Sequence, residues 1–163
     1  MSGTERVARA PATSSRWTMP LLRIGMGLFL LTWGLDKLIA VDDSQRIFER
    51  FYRIPAGPSL VRLAGVAELG LAVLLGAGIL RRPVAWVVLV VNAVSALASW
   101  RQILDPWGRL GLGPGGTHLF LASIVIVVVS VVLVVNAADD TFTPGGWPLG
   151  LRRARHGGGK EIR

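Results

Sequence analysis

Four apolar stretches, residues 19–40, 59–80, 84–104 and 118–138, alternate with segments rich in charge, Gly and Pro. Each is close to the roughly 20 residues that a helix needs to cross hydrocarbon. Backbone polar groups in lipid must be satisfied within their own segment, so even the β-branched run IVIVVVSVVLVV reads as helix and not as strand. The pattern predicts an all-α, integral membrane four-helix bundle. Residues 1–18 are polar and small and read as a disordered tail, and residues 139–163 as a basic one. A signal peptide is the rival reading of the amino-terminal part. The stretch 19–40 is long for a signal core, however, and no small-x-small site closes it.

Polar residues inside the stretches follow helical spacing. Arg23, Gly27, Leu30, Gly34 and Lys37 fall on one stripe of the first. The glycines allow a neighbouring helix to approach and turn both cations toward protein, although long basic stems also reach the interfaces by snorkelling. Gly65, Glu68, Ala72 and Gly76 form a comparable seam on the second, with a carboxylate near its middle. A charge at that depth costs at least about 2.5–3.5 kcal/mol, so a partner is required, and Lys37 and Arg23 are the nearest in kind. Asn92, Ser95 and Ser99 share a face of the third stretch, where hydrogen bonding between helices is the plain reading. His118 opens the fourth. Between the first two stretches, SQRIFERFYR puts Ile47, Phe48, Phe51 and Tyr52 on one side, as in a short helix lying in the headgroup region.

Composition sharpens this picture. At 163 residues the chain has room for one domain, and 52% hydrophobic residues with 20 glycines is unlike a soluble one. The net charge of +8 raises the question of nucleic acid, but the cations sit at span ends and in tails and do not gather on an aqueous face. They set orientation instead. Arg6, Arg9, Arg16, Arg81, Arg82, Arg152, Arg153, Arg155, Lys160 and Arg163 fall on one side of the alternation, against Arg46, Arg50, Arg53 and Arg109 on the other, which predicts both termini in the cytoplasm. Cysteine is absent, so disulfides and Cys-ligated metals are excluded. His118 and His156 are the only histidines, and no metal site is expected from them. No phosphate loop, nucleophile elbow or zinc-protease pattern occurs.

On this topology Lys37 lies toward the outer surface, Arg23 toward the inner one and Glu68 near the midplane. Lys37, Glu68, His118 and the polar end of the third span are expected to form a small chamber open to the outer half of the bilayer. Three uses compete for it. An ion pair would fix helix register, Lys, Arg, His or Asn donors would hold the two carbonyl oxygens of a quinone headgroup, or Glu68 would relay protons or bind a transported solute. Transporters are often built from internal repeats with broken midplane helices, whereas no span here is interrupted by Pro and no duplication relates the halves.

The segments LLRIGMGLFLLTWGLDKL and IPAGPSLVRLAGVAELGLAVLLGAGILRRP resemble the DoxX-like membrane proteins, with Arg23, Gly27, Gly34, Lys37, Gly65, Glu68, Gly76 and Arg81 at matching positions. The likeness covers about residues 20–138. It implies a four-helix bundle in the cytoplasmic membrane. Members of that family include the small subunit of a thiosulfate:quinone oxidoreductase, and others are linked to membrane redox or oxidative-stress complexes. The resemblance therefore implies a subunit of a membrane redox assembly, quinone being the cofactor to consider and a partner protein or a second copy the neighbour. The alternative is a structural or assembly partner with no small ligand. The chain departs from the family at His118, where relatives often carry a carboxylate, and in TFTPGGWPLG; both departures point away from catalysis by this chain alone.

Overall fold

A computed structural model describes residues 17–137. Both expected tails, with His156, fall outside the described residues apart from Trp17 and Thr18. The elements in order are α1 (Thr18–Ile39), α2 (Val41–Ile47) with a wider π-helical turn at Phe48–Tyr52, α3 (Pro58–Gly76), α4 (Arg81–Ala98), α5 (Trp100–Leu104) and α6 (Ala122–Val135), the last led in by a 3-10 turn at His118–Leu121. Four helical segments, Thr18–Ile39, Pro58–Gly76, Arg81–Ala98 and His118–Val135, are long and apolar enough to cross a membrane. No strand occurs among the described residues.

Local chemistry sets the boundaries. Pro58 stands at the first position of α3, where its missing N–H removes nothing from the hydrogen-bond ladder. Beyond Gly76 the chain turns through Gly78, at φ +68, and Leu80, also left-handed, so α3 stops short of Leu80. The third apolar stretch is not one helix. Ser99 donates its hydroxyl to the Ser95 carbonyl and leaves the helical region at φ −98 and ψ 15, so α4 gives way to the short α5.

The most extensive helix contact is α1 against α3, followed by α4 against α6, and the α1–α6 and α3–α4 contacts close the ring. The first pair is held by missing side chains. A Cβ on Gly34 would sit 3.0 Å from the Gly65 carbonyl oxygen, one on Gly65 would sit 2.8 Å from that of Gly34, and one on Gly27 would sit 3.2 Å from that of Ala72. These contacts run antiparallel, Gly34 beside Gly65 and Gly27 beside Ala72. Met26, Leu30, Ala72, Leu75, Val84, Ala85, Val88 and Leu133 fill the centre. Meanwhile Leu21, Leu63, Val73, Leu97, Val125 and Val135 turn most of their surface outward. An outer surface this apolar around so small a core is stable where the solvent is hydrocarbon.

The segment after α1 folds back over the bundle. Phe51 meets Phe120 with ring centroids 5.5 Å apart, and the Tyr52 hydroxyl lies 2.8 Å from that of Ser95. The charged side chains Asp42, Asp43, Glu49 and Arg50 stay exposed. This is the amphipathic arrangement that SQRIFERFYR predicts, pinned to α4 by a hydrogen bond. Met19 near the start of α1 and Ala137 after α6 line one small hollow, so the two described chain ends meet at the same end of the bundle.

Candidate functional site

Side chains on a helix tilt toward its N-terminus. In an antiparallel pair, therefore, Lys37 near the end of α1 leans back toward the bundle centre while Glu68 in mid-α3 leans toward Lys37. They meet, with Lys37 Nζ donating to Glu68 Oε2 at 2.8 Å. Their side chains are only 12% and 15% exposed. The same ammonium lies 3.4 Å from the Trp33 carbonyl oxygen and 5.5 Å from the centre of the Trp33 ring. Gly34 and Gly65 make this possible, since the backbones touch within one turn of both charges. The result is a charge-assisted hydrogen bond at the seam, with an indole face beside it and Glu68 turned from lipid.

The other predicted residues are dispersed. Arg23 is buried at the opposite end of α1, its guanidinium packed on the turn after α3, where a Cβ on Gly78 would lie 3.1 Å from Arg23 Cζ. Only glycine fits there on two counts, the positive φ and the cation beside it. Asn92 is buried between helices and donates through Nδ2 to Ser130 Oγ at 2.9 Å and toward Met26 Sδ at 3.5 Å, while Ser130 donates onward to the Ile126 carbonyl. This knot ties α4 to α6 and to α1. His118 is exposed and meets Trp107 edge-on, ring centroids 5.5 Å apart. The expectation that His118 and the polar end of the third span join Lys37 in one chamber is thus corrected. Ser95 is taken by Tyr52 and Asn92 by Ser130, and the loop before α6 holds His118 against its own Trp107. Among the described residues no cluster of His, Asp and Glu is arranged to hold a metal.

That loop has an organiser which spacing did not single out. Asp105, 2% exposed, accepts the backbone N–H groups of Arg109, Leu110 and Leu112 at 2.7, 3.0 and 3.1 Å. An acidic residue just before Pro106 in a glycine-rich stretch was the available signal, because such loops leave several N–H groups in need of one acceptor. Burial pushes the Asp105 carboxyl up, but the N–H groups of Leu110, Leu112, Arg109 and Gly108 together outweigh it and hold the group below its ordinary value. With the native value depressed, the contribution to stability is complete above the unfolded value of about 4 and is lost as pH falls through the native one. Asp105→Asn is therefore expected to lower Tm at neutral pH and open residues 105–117 to limited proteolysis. The gap from wild type should narrow as pH drops below about 4, and a gap constant with pH would refute the carboxylate's role.

The seam helices also carry the likeness to known proteins. The DoxX family profile matches residues 18–102, slightly more than half of the chain, spanning α1, α3 and α4 with Lys37, Glu68 and Asn92 inside it and α6 beyond it. Searches of curated proteins and of solved structures return no match. With that match across three of the four helices of membrane-crossing length among the described residues, the chain belongs to the DoxX family and is a multi-pass integral membrane protein.

Proposed function

We propose that this protein is a non-catalytic, quinone-associated subunit of a redox assembly in the cytoplasmic membrane, with both chain ends inside. The distribution of Lys and Arg between the loops supports that orientation. The observation that carries the quinone reading is the Lys37 ammonium, held by Glu68 at the edge of the seam beside Trp33, a residue 42% exposed to the bundle's surroundings. A quinone is a flat ring with two carbonyl acceptors and an apolar tail. Lys37 supplies a donor to one carbonyl, Trp33 a face for the ring, and lipid-facing Leu and Val side chains a path for the tail. Bound quinone would carry the redox chemistry. Lys37 orients it, Glu68 keeps the ammonium in place, and electrons come from a partner protein.

Titration of the purified protein with a quinone analogue tests this reading. Saturable binding is expected in wild type, weakened about tenfold in Lys37→Met, the scale of one hydrogen bond to a charged group, and less in Glu68→Gln. Absence of saturable binding in wild type would remove the quinone. One observation favours the second reading, an assembly partner with no small ligand: the hollows at the two ends of the bundle are lined by neither Lys37 nor Glu68. On that reading the ion pair fixes register only, and a mild-detergent pull-down returns a partner protein without bound quinone.

A further inference from the structure

Where α1 runs out and α2 turns away, a hollow of about 390 Å³ opens beside the second turn of α3. Its walls include Ile39, Asp42, Asp43, Arg46 and Arg62. Asp43 and Arg46 already form an ion pair with each other. Asp42 and Arg62 face the same hollow, and among the described residues neither is in an ion pair. One anion and one cation thus line a shared space without neutralising each other.

Depth says what meets them. Gly34 and Gly65 touch inside the seam. Arg62 is three residues from Gly65 and Ile39 five from Gly34, roughly 4.5 and 7.5 Å further toward this end at about 1.5 Å per residue. Ile39 is 81% exposed and apolar, whereas Asp42, Asp43 and Arg46 of the α2 helix that follows are charged and exposed. The hollow therefore lies where acyl chains give way to headgroups.

We propose that it binds the headgroup of an amine-bearing zwitterionic phospholipid of the phosphatidylethanolamine type. The phosphate is paired with the Arg62 guanidinium, whose planar fork suits two phosphate oxygens. The primary ammonium donates to the Asp42 carboxylate, and the glycerol backbone and first methylenes lie against Ile39. The charges also say what is disfavoured. A headgroup carrying only negative charge meets Asp42, which is in no ion pair among the described residues, without a compensating cation of its own. A choline headgroup brings positive charge but no N–H to donate.

The test uses the full chain, delipidated in mild detergent and offered phosphatidylethanolamine, phosphatidylglycerol or phosphatidylcholine with identical acyl chains, with retained lipid read by native mass spectrometry. Retention of phosphatidylethanolamine is expected to exceed that of either other lipid by about threefold, the scale of one exposed ion pair. Asp42→Asn and Arg62→Gln should each abolish the preference, whereas Glu49→Gln, exposed elsewhere on the same segment, should keep it. Equal or better retention of phosphatidylglycerol by wild type would overturn the proposal, as would an unchanged preference in Asp42→Asn and Arg62→Gln. Glycerophosphoethanolamine without acyl chains is expected to leave Tm unchanged; a shift equal to that given by the intact lipid would overturn the assignment to a bilayer lipid.

Discussion

Gly65→Val is expected to abolish the folded bundle or lower its Tm more than any other single substitution. Even the first carbon of a side chain there would sit 2.8 Å from the Gly34 carbonyl oxygen, 3.0 Å from Lys37 Cβ and 3.1 Å from Leu38 Cδ2. Two of those three atoms belong to backbone or to the root of a side chain, so the helices must part. Overpacking typically costs about 1–3 kcal/mol. Here the separation also draws Lys37 from Glu68, which adds the cost of a buried charge losing its partner. Gly70 provides the control. It is on the same helix with nothing within 4 Å of its Cβ position, so Gly70→Ala should leave Tm unchanged or raise it slightly, alanine being the better helix former. Thermal unfolding in one detergent, followed by tryptophan fluorescence, separates the two cases.

Removing one member of the ion pair is the second large effect. Glu68→Gln leaves the Lys37 ammonium at the seam without its carboxylate, and Lys37→Met leaves the Glu68 carboxylate without its ammonium. Breaking a buried pair in this way costs about 3 kcal/mol, because the remaining charge is left uncompensated in a poorly polarisable setting. Glu68 lies nearer the middle of its helix than Lys37 does, and a long ammonium stem can withdraw toward the interface. Lys37→Met is therefore expected to be the more damaging of the two. Retained stability in both variants would mean that water reaches the pair freely.

Most of the bundle was legible because membrane spans are written in length and apolarity, and the close α1–α3 pairing because Gly27 and Gly34 on one span, and Gly65 and Gly76 on the next, recur at helical spacing. The meeting of Lys37 and Glu68 was legible too. An acid in mid-span needs a cation, and antiparallel neighbours bring those two positions to adjacent levels. Arg23 was harder to place, since its position depends on a left-handed turn at Gly78 that hydropathy does not encode. His118 was expected near Lys37 because both border the same side of the membrane; level along the axis says nothing about position around it, and Trp107 holds the ring. Asp105 escaped notice because its role is to accept backbone N–H groups, which depends on loop conformation and not on residue spacing. The break at Ser99 is of the same kind, one hydroxyl bonding back to a carbonyl.

The α1–α3 seam holds the Lys37–Glu68 ion pair between its two helices, and a double-mutant cycle at these positions reads its coupling directly. Unfolding free energies would be measured in the same bicelles for wild type, Lys37→Met, Glu68→Gln and the double variant. Favourable coupling of at least about 1.5 kcal/mol is expected, with the double variant more stable than Lys37→Met alone. Additive losses, with coupling within about 0.5 kcal/mol of zero, would contradict it.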